Sequence, residues 1–153
     1  MREILFRGKY SKKSPDWIEG SFHRDEDTNI CEIAYRYYKK EGETKAGIWV
    51  YGVVDPETVG QYTGLKDKNG KKIFEGDIVR LTDEHNEIEW TAVVVFGNPN
   101  GEYNWGWQLK AIGEFDGNKD ILLWVDMEES GAYCEIIGNI YDNPEFLEGG
   151  EGE

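Results

Sequence analysis

The sequence predicts an all-β protein with little helix, organised around a small barrel. Apolar and polar residues alternate with period two through several segments, the signature of half-buried strands. Short β-branched and aromatic runs are separated by clusters of Gly, Asn or Asp, a spacing that suits a barrel or paired antiparallel sheets. The 153 residues include 19 Gly and only 4 Pro. Turns and bulges use Gly well, whereas each Gly inside a helix costs roughly 1 kcal/mol relative to Ala. Six Trp, nine Tyr and six Phe supply rings whose burial offsets chain entropy, so the chain is not disordered, and its length suffices for one core without staples.

Taken in order, Arg2–Arg7 is expected as the first strand. In Cys31–Tyr37 the residues Cys31, Ile33, Tyr35 and Tyr37 share one face, and Glu32, Ala34 and Arg36 the other. Gly47–Val54 is a β-branched and aromatic run ended by Asp55-Pro56. Further strands are expected at Lys71–Phe74, Asp77–Leu81, Ile88–Phe96, Tyr103–Lys110, Asp120–Asp126 and Tyr133–Ile140. Thr91–Phe96 is continuously apolar in character and is expected to be covered on both faces, with Ile78, Val79 and Val94 in the core. Gly97-Asn98-Pro99-Asn100-Gly101 marks a loop. Pro144–Leu147 can make one helical turn with Asn143 as its cap.

The most informative stretch is Thr58–Arg80. Its Asp67-Lys68-Asn69-Gly70 tolerates positive φ between two apolar-bearing segments, as a tight reversal requires, and Glu75-Gly76-Asp77 punctuates the entry into Ile78-Val79. The structural signature is Tyr62, Gly64, Asp67, Asn69, Gly70, Gly76 and Asp77. This stretch, with Met1–Gly8 and Glu135–Pro144, resembles the YopX family of phage and prophage proteins. From Tyr62 onward the short strands and the Gly-Asp entry also resemble small SH3-like barrels. The expected organisation is one YopX-like domain over 1–147, with N-terminal strands and loops over 1–60, a barrel-like part over 61–143, and an acidic flexible tail over 148–153. The resemblance implies an accessory protein, and the family brings no established biochemical activity with it.

The net charge of −14 is unevenly spread: residues 81–153 hold two basic and seventeen acidic side chains. So negative a segment repels phosphate backbones and favours solubility, unless a basic partner recognises it. The basic residues gather in 1–13 and 61–80. Cys31 and Cys134 do not make a disulfide framework and read as reduced, partly buried thiols. No run of about 18 apolar residues exists, and Met1–Tyr10 does not resemble a signal peptide, so the expected setting is the cytoplasm, away from membranes.

Motifs for chemistry are weak. His23 and His85 have no ligand spacing and lie in polar loops. Asp116-Gly117-Asn118-Lys119-Asp120 begins like a calcium loop, but Ile121 stands where Gly is needed and Met127 where a bidentate Glu belongs. Lys68-Asn69-Gly70-Lys71-Lys72 lacks the glycine spacing of a phosphate loop. No catalytic, cofactor-binding or metal-binding residue is therefore assigned, and no cofactor is expected. Trp105 and Trp107 alternate as a stacking platform would, and with Trp49 and Tyr51 they form the candidate partner surface. The leading reading is a non-enzymatic interaction or assembly module that binds protein partners, including copies of itself. The alternatives are a nucleic-acid-associated module using the basic segments, an acidic decoy mimicking DNA, and an enzyme whose carboxylates come from separate strands.

Overall fold

The computed structural model describes residues 2–37, 47–101, 105–125 and 132–148. They form two compact units, Met1–Gln61 and Tyr62–Glu153.

In the first unit, strands β1 (Phe6–Lys9), β2 (Trp17–Arg24), β3 (Cys31–Tyr37) and β4 (Ile48–Val54) are joined antiparallel, β1 to β2, β2 to β3 and β3 to β4. Strand β5 (Gly60–Lys66) begins here and pairs β1 through Gly60 and Gln61. One face buries Ile18, Cys31, Ile33 and Val54, with Phe22, Tyr35 and Val59 packed around them. The β2–β3 turn is set by Asp25, whose carboxylate accepts the N–H groups of Asp27 (2.8 Å) and Thr28 (3.1 Å). Those N–H donors, Thr28 first, hold the Asp25 carboxyl below its ordinary range. A single 3₁₀ turn, Pro56–Thr58, follows β4 and buries Thr58, whose hydroxyl accepts the Lys9 N–H at 2.9 Å.

In the second unit, β5 pairs β6 (Lys72–Phe74) around the Asp67–Gly70 turn, where the Gly70 N–H donates to the Asp67 carbonyl at 3.0 Å. Gly70 has φ 79°, in the left-handed region that such a turn needs and that only Gly enters without steric cost. A four-stranded antiparallel sheet follows in the order β10-β7-β8-β9, from β7 (Asp77–Thr82), β8 (Glu89–Gly97), β9 (Gly106–Ile112) and β10 (Tyr133–Asn139). Its core holds Ile73, Val79, Leu81, Trp90, Ala92, Val94, Leu109 and Cys134. Ile78, Val79 and Val94 are fully buried. Ala92, Val93 and Val94 are buried but Phe96 is exposed, so the run 91–96 is covered on both faces only at its middle. A bulge interrupts the β10–β7 register between Ile136 and Gly138.

The SH3-like barrel expected after Tyr62 is not formed. The sheets are open: β9 and β10 lie at opposite ends of the strand order and do not pair with each other. The segment expected as a strand over 120–126 instead forms, among the described residues, a helical turn, α1 (Ile121–Val125), and adds no strand to the sheet. Its Ile121 and Trp124, spaced three apart, are buried in the core of this unit. Trp90 stacks on Phe115 with centroids 3.9 Å apart, and Trp124 meets Trp90 edge-on at 5.5 Å. A second short helix, α2 (Glu145–Glu148), follows Asn143 and Pro144. The first strand begins at Phe6 rather than Arg2. The start of the strand expected at Tyr103, the calcium-loop position Met127 and the acidic tail beyond Glu148 lie outside the described residues.

Candidate functional site

Residues expected to form one partner surface fall in different units. Trp49 and Tyr51 belong to the first, and Trp105 and Trp107 to the second.

On β4 the alternation holds over its second half, while Ile48 at its start is exposed although it shares the core-facing parity. Gly52 and Val54 face the core, while Trp49, Tyr51 and Val53 point outward with exposures of 54%, 64% and 54%. Their register partners on β3 are Arg36, Ala34 and Glu32. The Arg36 guanidinium lies 5.3 Å from the Trp49 ring centroid, a cation–π arrangement. Among the described residues β4 pairs only with β3, so its outer edge presents unpaired backbone groups beside an apolar ridge. Natural edge strands are blunted by charge or proline, and β4 carries neither.

In the second unit a cavity of about 330 Å³ is lined by Thr63, Leu65, Trp105, Trp107, Gln108, Asp120, Ile121 and Leu122. Trp105 precedes β9 and is 74% exposed. Trp107 is half-buried on the core and meets Phe96 edge-on at 5.0 Å. The two indoles thus line one cavity without forming a continuous platform within the strand. Gln108 and Asp120 are joined by an isolated β-bridge at the outer side of β9. The Asp120 carboxylate accepts the Leu122 N–H at 3.0 Å and so caps α1. The sequence singles out Asp120 only as part of the calcium-like stretch and Gln108 not at all, because their juxtaposition depends on segments that are distant in the chain.

The signature residues act on the fold. Tyr62 packs against Phe74 with ring centroids 5.6 Å apart. Gly64 lies in β5 with φ 86°. The buried Asp67 carboxylate accepts three N–H groups, from Asn69 and Lys71 at 2.9 Å each and from Ile136 at 3.0 Å. The Asp77 carboxylate accepts the Phe74 N–H at 2.7 Å. Gly76 donates its N–H to Val94 at 2.8 Å and accepts that of Ile140 at 3.0 Å.

Cation-bearing and titratable candidates are engaged locally. Lys68 lies 3.4 Å from Glu135 and stands over the Tyr133 ring. His85 is exposed, 3.1 Å from Glu84, and His23 is exposed opposite Glu32. In the calcium-like loop, Asn118 spends its side-chain oxygen on the Asp120 N–H and its carbonyl on the Trp124 indole N–H, both at 2.8 Å. Among the described residues no group of three or more His, Cys, Asp or Glu is arranged to hold a metal, and no helix is long and apolar enough to cross a membrane. Cys31 and Cys134 are buried and not disulfide-bonded. Burial, then the negative charges of Asp67, Asp77 and Glu135, pushes the Cys134 thiol up to about 12.

A sequence model of the family described as YopX protein matches residues 5–148. Among solved structures, protein yopX from Bacillus subtilis is 18% identical with a TM-score of 0.50, over 95% of this chain and 98% of that one. Protein EF1440 from Enterococcus faecalis is 22% identical with a TM-score of 0.49, over 96% and 99%. At these identities the likeness to yopX is one of fold. No curated relative matches the chain.

Proposed function

We propose that this chain, which belongs to the YopX family of phage and prophage proteins, works as a non-enzymatic assembly module that pairs with a second copy of itself along β4. The observation that carries the reading is the exposed ridge of Trp49, Tyr51 and Val53 on an edge strand without charge. A second copy suits this edge because a two-fold antiparallel pairing over all seven residues sets Tyr51 opposite Tyr51 and Trp49 opposite Val53. Outward residues then meet outward residues, as continuation of a pleated sheet requires. The chain's charge of −14 opposes association elsewhere on the surface, which favours contact through an uncharged strand.

Sedimentation equilibrium tests the reading with the whole chain and with Tyr51→Lys, which sets like charges opposite each other at the two-fold. The expected result is a dimer for the parent chain, strengthened by salt as repulsion is screened, and at least ten-fold weaker association for the variant. A monomer at every concentration and salt level, or equal association of both proteins, overturns it.

A further inference from the structure

We propose that the cavity beside β9 binds a guanidinium group, that is, an arginine side chain. This site is distinct from the β4 edge and rests on different residues. The first observation is Gln108, which is only 5% exposed yet makes no hydrogen bond with its side-chain amide among the described residues, although it lines the cavity. The amide is not sealed from solvent, so its carbonyl and N–H groups are open to a ligand that can use them. The second is Asp120, on the same wall, whose carboxylate accepts the Leu122 N–H and makes no ion pair among the described residues. The third is the pair of indoles, Trp105 and Trp107, that complete the lining.

One chemistry uses all three. A guanidinium is planar, stacks on an indole, always carries a positive charge, and offers five N–H donors in a fixed fork. It can give N–H groups to the Asp120 carboxylate and to the Gln108 carbonyl while its plane lies against a Trp ring. An ammonium is compact and strongly hydrated, and matches the flat aromatic wall less well. Phosphates and carboxylates are disfavoured by Asp120 and by the surplus of acid over base in residues 81–153, seventeen against two. The volume of about 330 Å³ lies at the small end of ligand sites and is suited to one side chain. Because a guanidinium has no acceptor, the Gln108 NH₂ group is left for a carbonyl. A peptide-bound arginine supplies that carbonyl directly.

Calorimetric titration of the whole chain tests this with N-acetylarginine methylamide, free arginine, the lysine counterpart, and the citrulline counterpart, which is planar but neutral. The capped arginine is expected to bind in roughly the millimolar range, weaken with salt, and bind at least ten-fold more tightly than the lysine and citrulline counterparts. Asp120→Asn keeps a capping oxygen for α1 while removing the charge, and is expected to weaken binding about ten-fold; Trp105→Ala, at an exposed position, is expected to weaken it several-fold. Free arginine binding as well as the capped form identifies a small-molecule source, and ten-fold weaker binding identifies a peptide source. No heat of binding for either arginine form, equal binding of citrulline or lysine, or unchanged binding in both folded variants overturns the proposal.

Discussion

Asp67 and Ile136, 69 positions apart, are joined by a 3.0 Å hydrogen bond from the Ile136 N–H to the Asp67 carboxylate. The other carboxylate oxygen takes the N–H groups of Asn69 and Lys71. One buried side chain therefore closes the β5–β6 turn and fixes β10 beside its bulge. The neighbouring Lys68 N–H reinforces the junction by donating to the Cys134 carbonyl at 2.9 Å. Two separate blocks of the family signature meet at this point.

Asp67→Ala leaves three N–H groups without their acceptor and is expected to cost about 2–4 kcal/mol. Asp67→Asn retains one acceptor oxygen and should cost less. Urea denaturation checks the order; a midpoint unchanged in Asp67→Ala would show that the junction contributes nothing to the fold.

Gly70 and Gly76 have φ of 79° and 89°, but their surroundings differ. Nothing lies within 4 Å of a Cβ placed on Gly70, whereas on Gly76 it would meet Tyr141 at 3.3 Å and Ile140 at 3.6 Å. Gly70→Val is expected to cost about 1–2 kcal/mol, from backbone conformation alone. Gly76→Val should cost more, because the ring and the Ile140 side chain must also give way. Equal unfolding midpoints for the two variants would contradict this ranking.

The same residues show what could be read from sequence. The Asp67–Gly70 reversal was legible because positive-φ chemistry is local, β3 because its alternation is, and β4, β7 and β8 because their β-branched and apolar runs are short and bounded by turn residues. Strand β2 was missed: its inward Ile18 and Phe22 are separated by Gly20 and followed by polar His23 and Arg24. Ile121–Val125 was misread as a strand because a five-residue apolar run does not distinguish the two periods. Asn118 and Asp120 immediately before it, with Ile121 and Trp124 three apart, were the available helix-start signal. Sheet closure was misjudged because it depends on which distant edges meet. The cavity escaped for the same reason, since its walls come from residues 63–65, 105–108 and 120–122.

Cys134 provides a pH test. Its folded-state value of about 12 lies above the ordinary thiol value of 9.0, so the folded state holds its proton more tightly than the unfolded chain. The associated stability is fully present below about pH 9 and is lost as the pH rises from there through 12. A disulfide-exchange reagent at pH 8 should label Cys134 only as fast as the protein opens, and fully in denaturant. Rapid labelling of the native protein at Cys134 would place the thiol at the surface, against the structure.

Cross-linking at the centre of the proposed pairing tests the assembly reading most directly. With Tyr51→Cys, the full-overlap register sets the two new thiols opposite each other, about 4.5–5.5 Å apart between Cβ atoms, from which an approach of about 1 Å brings them to the roughly 3.5–4.5 Å of a disulfide. Mild oxidation is then expected to give a covalent dimer in high yield, whereas Ser21→Cys, exposed on β2, should remain monomeric on a denaturing gel. Failure of Tyr51→Cys to cross-link, or cross-linking of both variants to the same extent, would contradict self-assembly through β4.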